Sequence, residues 1–140
     1  MLLTIEKVLI LKSVHVLSTV PEPQLVEIAN IIDIVEYQDG DVIMNEGDIG
    51  SAMYIVAEGR VRCYSGETDL GILGSRAVFG ELSALDPEPR AASIQAIEDC
   101  TLLKLDGETL YELMAVNKEL TRGIVHVLCD YARTNLALNK

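Results

Sequence analysis

Between residues 34 and 105 the chain is a succession of short segments of period two, broken by turns that carry glycine. Alternation of this kind points successive side chains to opposite faces, as a half-buried strand requires. It predicts strands over 34–37, 42–44, 52–57, 60–65, 70–73, 93–97 and 101–105. The breaks fall at 38–41, 45–50, 58–59 and 66–69, each holding Gly40, Gly47 with Gly50, Gly59 or Gly66. Many short strands at about eight- to twelve-residue spacing specify a β-sandwich or barrel. Within 60–65, Val61 and Cys63 fall on one face, and Arg60, Arg62 and Tyr64 on the other.

The flanks have another period. Residues 2–18 are apolar at helical spacing, with Leu2, Ile5, Leu9, Val16 and Leu17 expected along one face, and 18–23 breaks the run. A second helix is predicted over 24–32, with Leu25, Ile28 and Ile32 inside. After the strands, Asp106 is placed to cap a helix containing Leu110, Leu113 and Met114. Residues 117–119 mark a bend. Leu120, Ile124, Val127, Leu128 and Tyr131 then recur at three and four, an amphipathic helix to about Leu136. The expected organisation is one domain: 1–33 N-terminal helices, 34–105 strands, 106–140 C-terminal helices.

Inside the strand region lies a stretch of different character, FGELSALDPEPRAAS over 79–93. Gly80 permits close approach of backbone to a ligand. Residues 81–85 have the composition of one helical turn, and Asp86-Pro87-Glu88-Pro89 stops it rigidly. The first N–H groups of such a turn lack internal partners and favour an anion. Arg90 follows with a planar, permanently charged fork suited to phosphate, while Glu81 is an acceptor suited to sugar hydroxyls. One anion site beside one hydroxyl site reads as a phosphate–ribose cradle. A Glu and an Arg at this spacing are also a common solvated surface pair, and spacing alone does not separate the two.

The run 79–93 closely resembles the phosphate-binding cassette of the cyclic nucleotide-binding domain family, which includes regulatory subunits of cyclic-AMP-dependent protein kinase, catabolite activator proteins and cyclic-nucleotide-gated channels. Residues 46–61, EGDIGSAMYIVAEGRV, resemble the family's other recurring signature. The resemblance implies an antiparallel jelly-roll β-barrel with N-terminal helices and a C-terminal helical lid. It implies ligand contacts from Gly80, Glu81, Leu82, Ser83, Arg90, Ala91 and Ala92. Glu81 would accept from the ribose 2′-hydroxyl, Arg90 would hold the exocyclic phosphate, and N–H groups of Gly80, Ser83 and Ala91 would complete the anion site. Cys63 and Tyr131 would line the base. Alanine at position 91, where cGMP-selective members often have threonine, favours cAMP, with cGMP the other candidate. Two departures stand out: Ser51 replaces an acidic residue that many members pair with the arginine, and 74–78 lacks the usual Pro-Gly turn.

Composition narrows the rest. The formal charge of −11 lacks the basic patch of a nucleic-acid binder. No window reaches the ~18 apolar residues of a membrane helix, and the start does not fit a signal peptide. Cys63, Cys100 and Cys129 make no disulfide framework, which suits a cytoplasmic setting. His15 and His126 lie far apart in sequence, so no metal site is expected. Ser83, Ser93 and the histidines show no nucleophile–base spacing, so an enzyme is not expected. The expected function is a regulatory module that binds a cyclic nucleotide and passes the signal through its last helices to an effector domain or partner protein, with a homodimer through the last helix as one arrangement. The alternative is a structural or protein-interaction domain that kept the fold without the ligand.

Overall fold

The computed structural model describes residues 2–138, and its contacts gather in two compact units. One draws on the chain up to Ile31 and from Glu112 onward; the other is Ile32–Tyr111.

In the first unit, α1 (Thr4–Lys12) ends where Ser13 turns its hydroxyl back onto the Ile10 carbonyl, 2.7 Å away, a side-chain bond that competes with further helix. A 3-10 turn at His15–Leu17 follows, so the continuous helix expected over 2–18 is two pieces. Its expected inner face holds at Leu17 and is corrected at Ile5 and Leu9. Ile5 and Leu9 are exposed, and Val8, Ile10, Leu11, Val14 and Leu17 form the buried set. Apolar residues occupy most positions of this segment, so periodicity could not select a face. In α2 (Glu22–Ile31), Leu25 and Ile28 are buried as predicted, with Ala29 beside them.

Asn117 separates α4 (Gly107–Val116) from α5 (Lys118–Leu138). Its side-chain oxygen accepts the Leu120 N–H at 3.2 Å, an N-cap that explains why the helix restarts here. On α5, Leu120, Ile124 and Val127 are buried, whereas Leu128 and Tyr131 are largely exposed. The helix runs close against the 3-10 turn: a Cβ on Gly123 would stand 2.1 Å from the Val16 carbonyl oxygen, so glycine sets that approach. One result is that His15 and His126, distant in sequence, meet with ring centroids 5.4 Å apart.

The second unit is antiparallel throughout. One four-stranded sheet has the order β1 (Asp33–Tyr37), β10 (Cys100–Asp106), β4 (Ala52–Glu58), β7 (Val78–Phe79). The other has the order β2 (Val42–Met44), β9 (Ser93–Ala96), β5 (Val61–Ser65), β6 (Thr68–Leu73). A small ribbon pairs β3 (Ile49–Gly50) with β8 (Glu88–Pro89). The core lies between the two larger sheets, built from Tyr54, Val56 and Leu102 of one and Val61, Ile94 and Ala96 of the other. Antiparallel sheets with flanking helices are the expected architecture, and the seven predicted strands all form.

The additions are β3, β7 and β8. Two-residue strands carry no period to read, and Pro89 in β8 argues locally against a strand at all. Tyr54 and Phe79, neighbours in the β4–β7 pairing, stack with centroids 5.2 Å apart. On β5, Val61 is fully buried and Cys63 packs against the core, while Arg62 lies over the Tyr64 ring on the opposite face, as alternation predicts.

Candidate nucleotide-binding site

The cassette is assembled from a tight turn, a short helix and the ribbon. Gly80 adopts φ 82° and ψ 8°, a left-handed conformation that glycine enters without strain, and it starts α3 (Glu81–Leu85). A side chain there would meet two groups at once: its Cβ would stand 2.7 Å from the Ala52 carbonyl oxygen and 2.8 Å from Arg90 Nη1. Gly80 and Arg90 therefore occupy one small space. Glu81 and Ser83 are half-buried, Leu82 is exposed, and α3 packs on β4.

Arg90 follows β8, and its backbone is held from both sides. Its N–H donates to the Asp48 carbonyl at 2.8 Å, and its carbonyl accepts from Gly47 N–H at 2.8 Å. The side chain then runs across Gly50. A Cβ on Gly50 would lie 1.9 Å from Nε and 2.0 Å from Cζ, so the guanidinium uses the space that glycine leaves empty. Nη2 donates to the Ala52 carbonyl at 3.0 Å. Arg90 is 9% exposed, and among the described residues no carboxylate stands in ion-pair range of it.

Burial pushes the guanidinium below its ordinary value, with the Tyr54 phenol acting in the opposite sense. It remains a cation at neutral pH. A buried charge compensated by one neutral carbonyl is costly unless an anion joins it. Ser51 contributes no charge, in keeping with the departure noted in the sequence. Beside the guanidinium is a cleft of about 230 Å³ whose lining includes Asp48, Gly50, Ser51, Tyr54, Arg90, Lys104 and Asp106.

The other predicted positions fall as follows. Ala91 is exposed and Ala92 half-buried, leading into Ser93, whose hydroxyl accepts the Glu46 N–H at 2.8 Å. Cys63 pairs with Ile94 across β5–β9, one strand from the cassette's end, and burial pushes its thiol up. Tyr131 belongs to the helical unit, on α5. Sequence reasoning missed Gly50 and the Ala52 carbonyl. Both stand in the quoted 46–61 signature, but Gly50 reads there as a turn glycine, whereas it lies in β3 and leaves room for the Arg90 side chain.

The fold and this cassette define a class. Residues 34–117 match the model of the cyclic nucleotide-binding domain, and the chain belongs to that family. Among curated relatives it is 41% identical over 83 residues to the cyclic AMP receptor protein of Thermus thermophilus, a match covering 56% of this chain and 38% of the relative. It is 31% identical over 114 residues to the cAMP-dependent protein kinase regulatory subunit of Aspergillus niger, covering 80% of this chain and 28% of the relative. The chain thus spans well under half the length of these relatives. Among solved structures, it superposes with a TM-score of 0.85 on the N-terminal domain of a transcriptional regulator from Streptomyces coelicolor, at 26% identity, covering 92% of this chain and 93% of that one. The Thermus thermophilus catabolite activator protein gives a TM-score of 0.77 at 28% identity, covering 89% of this chain and 61% of that one. Among the described residues, no helix is long and apolar enough to cross a membrane.

Proposed function

We propose that the chain is a cAMP-binding regulatory module whose ligand sits on the 79–93 cassette. The observation that carries the reading is Arg90: a nine-tenths buried residue whose guanidinium has a carbonyl for company and, among the described residues, no carboxylate in ion-pair range. An incoming phosphate supplies the missing charge and accepts a bidentate pair of N–H bonds, the strong geometry for this side chain. The bond to Ala52 is then exchanged for one to the ligand. Glu81 accepts from the ribose 2′-hydroxyl, and Leu82, Ala92 and the N–H groups of Gly80, Ser83 and Ala91 close around the phosphate and sugar. Cys63 lines the base. Alanine at 91 supports adenine over guanine, as does the likeness to relatives such as the cyclic AMP receptor protein.

Ligand binding shifts the population of the C-terminal helices α4 and α5, and these pass the change to an effector domain or partner protein. The direct test is calorimetric titration of refolded protein with cAMP and cGMP, after mass spectrometry for co-purified nucleotide. Saturable binding is expected, tighter for cAMP. Arg90→Ala weakens it by ~2–5 kcal/mol, because the phosphate loses its desolvated partner. Glu81→Ala costs ~1–3 kcal/mol, the scale of an unsatisfied hydroxyl bond. Near-wild-type affinity in Arg90→Ala sinks the site assignment. No binding of either nucleotide leaves the chain an interaction domain that kept the fold.

A further inference from the structure

A second cluster of chemically capable side chains lies in the helical unit, outside the cassette. His126 and Asp130 stand one turn apart on α5 and so share a face. His15 comes to the same face from the 3-10 turn. Asp130 Oδ2 is 3.5 Å from His126 Nε2 and 3.9 Å from His15 Nε2. One ligand atom from each of the three residues lies within 4.8 Å of the others. These separations exceed the ~2.7–3.2 Å of an N–H···O hydrogen bond. The three groups gather in a small volume, with Asp130 beyond hydrogen-bond distance of either imidazole and the two rings in edge contact.

Two further contacts organise the trio. Gly123, one turn before His126, lets α5 approach the Val16 carbonyl, since any Cβ there would stand 2.1 Å from that oxygen. Arg133 Nη1 lies 3.6 Å from Oδ1 of Asp130, leaving Oδ2 turned toward the imidazoles.

We propose that His15, His126 and Asp130 form a site for a late first-row divalent metal ion, with Zn²⁺ the best fit, joining the 3-10 turn to α5. Two imidazole nitrogens and one carboxylate oxygen are the donor types zinc takes in three-ligand sites, with water in the fourth position. Magnesium and calcium prefer all-oxygen shells and fit this set poorly. Zinc bonds of ~2.0–2.2 Å in tetrahedral geometry place neighbouring donors ~3.3–3.5 Å apart, so the trio must close by about 1 Å or less along most edges. The side chains are free to do so: their exposures are 63% for His15, 58% for His126 and 48% for Asp130. Occupancy ties a segment near the chain's start to one near its end. The site uses none of the cassette residues.

The test uses the untagged full chain, stripped with a chelator and titrated with Zn²⁺ by calorimetry and with Co²⁺ by visible absorption. One Zn²⁺ per chain is expected, with the intense d–d bands of four- or five-coordinate Co²⁺ and a rise in the unfolding temperature with added Zn²⁺. His15→Ala and His126→Ala each lower the affinity at least about tenfold and abolish the thermal shift. Asp130→Asn, which keeps volume and helix, serves where a histidine variant folds poorly by circular dichroism, and the same loss is expected. Absence of saturable binding below about 1 mM metal overturns the proposal. So does stoichiometric binding that survives both histidine substitutions, which puts the metal elsewhere, as on Cys129. Nucleotide titration of the same variants reads the cassette independently, so either site can fail alone.

Discussion

Gly50→Ala separates the position of the Arg90 charge from its presence. The new Cβ would begin 1.9 Å from Nε and 2.0 Å from Cζ, against the ~3.5–4 Å at which uncharged heavy atoms rest. The obstructing atoms belong to the far end of a flexible side chain, and Gly50 is not among the positive-φ glycines, so the strand accepts alanine and the guanidinium gives way. A retreat of ~1.5–2 Å stretches the phosphate contact from about 2.8 Å to about 4.5 Å. At an effective dielectric of ~20 this lowers the attraction by about 2 kcal/mol, or about thirtyfold in Kd. The free protein changes little in stability, because the displaced charge gains water as it loses the Ala52 bond. The assay is a cycle of nucleotide titrations on wild type, Gly50→Ala, Arg90→Ala and the double variant, with urea unfolding of each. Strong non-additivity is expected, since after Arg90→Ala there is no guanidinium left to displace. Wild-type affinity in Gly50→Ala, or losses that simply add, would falsify the placement of Arg90 across Gly50.

Three further outcomes follow from particular contacts. Gly80→Ala combines a left-handed backbone with a Cβ 2.7 Å from the Ala52 carbonyl oxygen, and it should lose ~1–3 kcal/mol of stability by urea unfolding as well as ligand binding; an unchanged midpoint contradicts the turn geometry. Asn117→Ala removes the cap on Leu120 N–H, a bond shielded from water, and should cost ~1–2 kcal/mol in the same assay while Asn117→Asp costs less. Burial pushes the thiols of Cys63 and Cys100 above their ordinary 9.0 and the Tyr37 phenol above its ordinary 10.0. The unfolded chain therefore ionises first as pH rises, so these groups' contribution is fully present below about pH 9 and fades above it. Melting temperatures from about pH 7 to 10.5 should fall at the alkaline end, less so in Cys63→Ala/Cys100→Ala; parallel curves for the variant and wild type refute this account.

The strand core was legible because one residue in two must be buried wherever a sheet has one covered face. That rule placed Val61 and Cys63 against the core and Arg62 and Tyr64 away from it without reference to their partners, while β4, buried on both faces from Ala52 to Val56, does not follow it. The rule fails where an element is too short for a period, as in Ile49–Gly50, or where apolar residues run together, as Val8 to Leu11 do in Thr4–Lys12. The cassette was legible as chemistry: a glycine, a carboxylate, a stiff loop and a guanidinium in one run. Its support was not. Gly50 and Ala52 serve Arg90 through an empty space and a carbonyl, and neither leaves a mark on the identity of a neighbouring side chain. The meeting of His15 with His126 was hidden for a third reason: it exists only once α5 has packed on the turn, and Gly123 permits that packing.

The double hydrogen bond on Arg90's backbone has a consequence for recognition. Its N–H and carbonyl are both tied to residues 47–48, and Pro87 and Pro89 fix two of the preceding φ angles. The segment bearing the charge has little backbone entropy left to lose when a ligand arrives. What remains is the buried side chain beyond Cβ, which must exchange its bond to the Ala52 carbonyl for bonds to the phosphate. Capture of the phosphate by this arm then asks for a rearrangement of one side chain and none of its backbone.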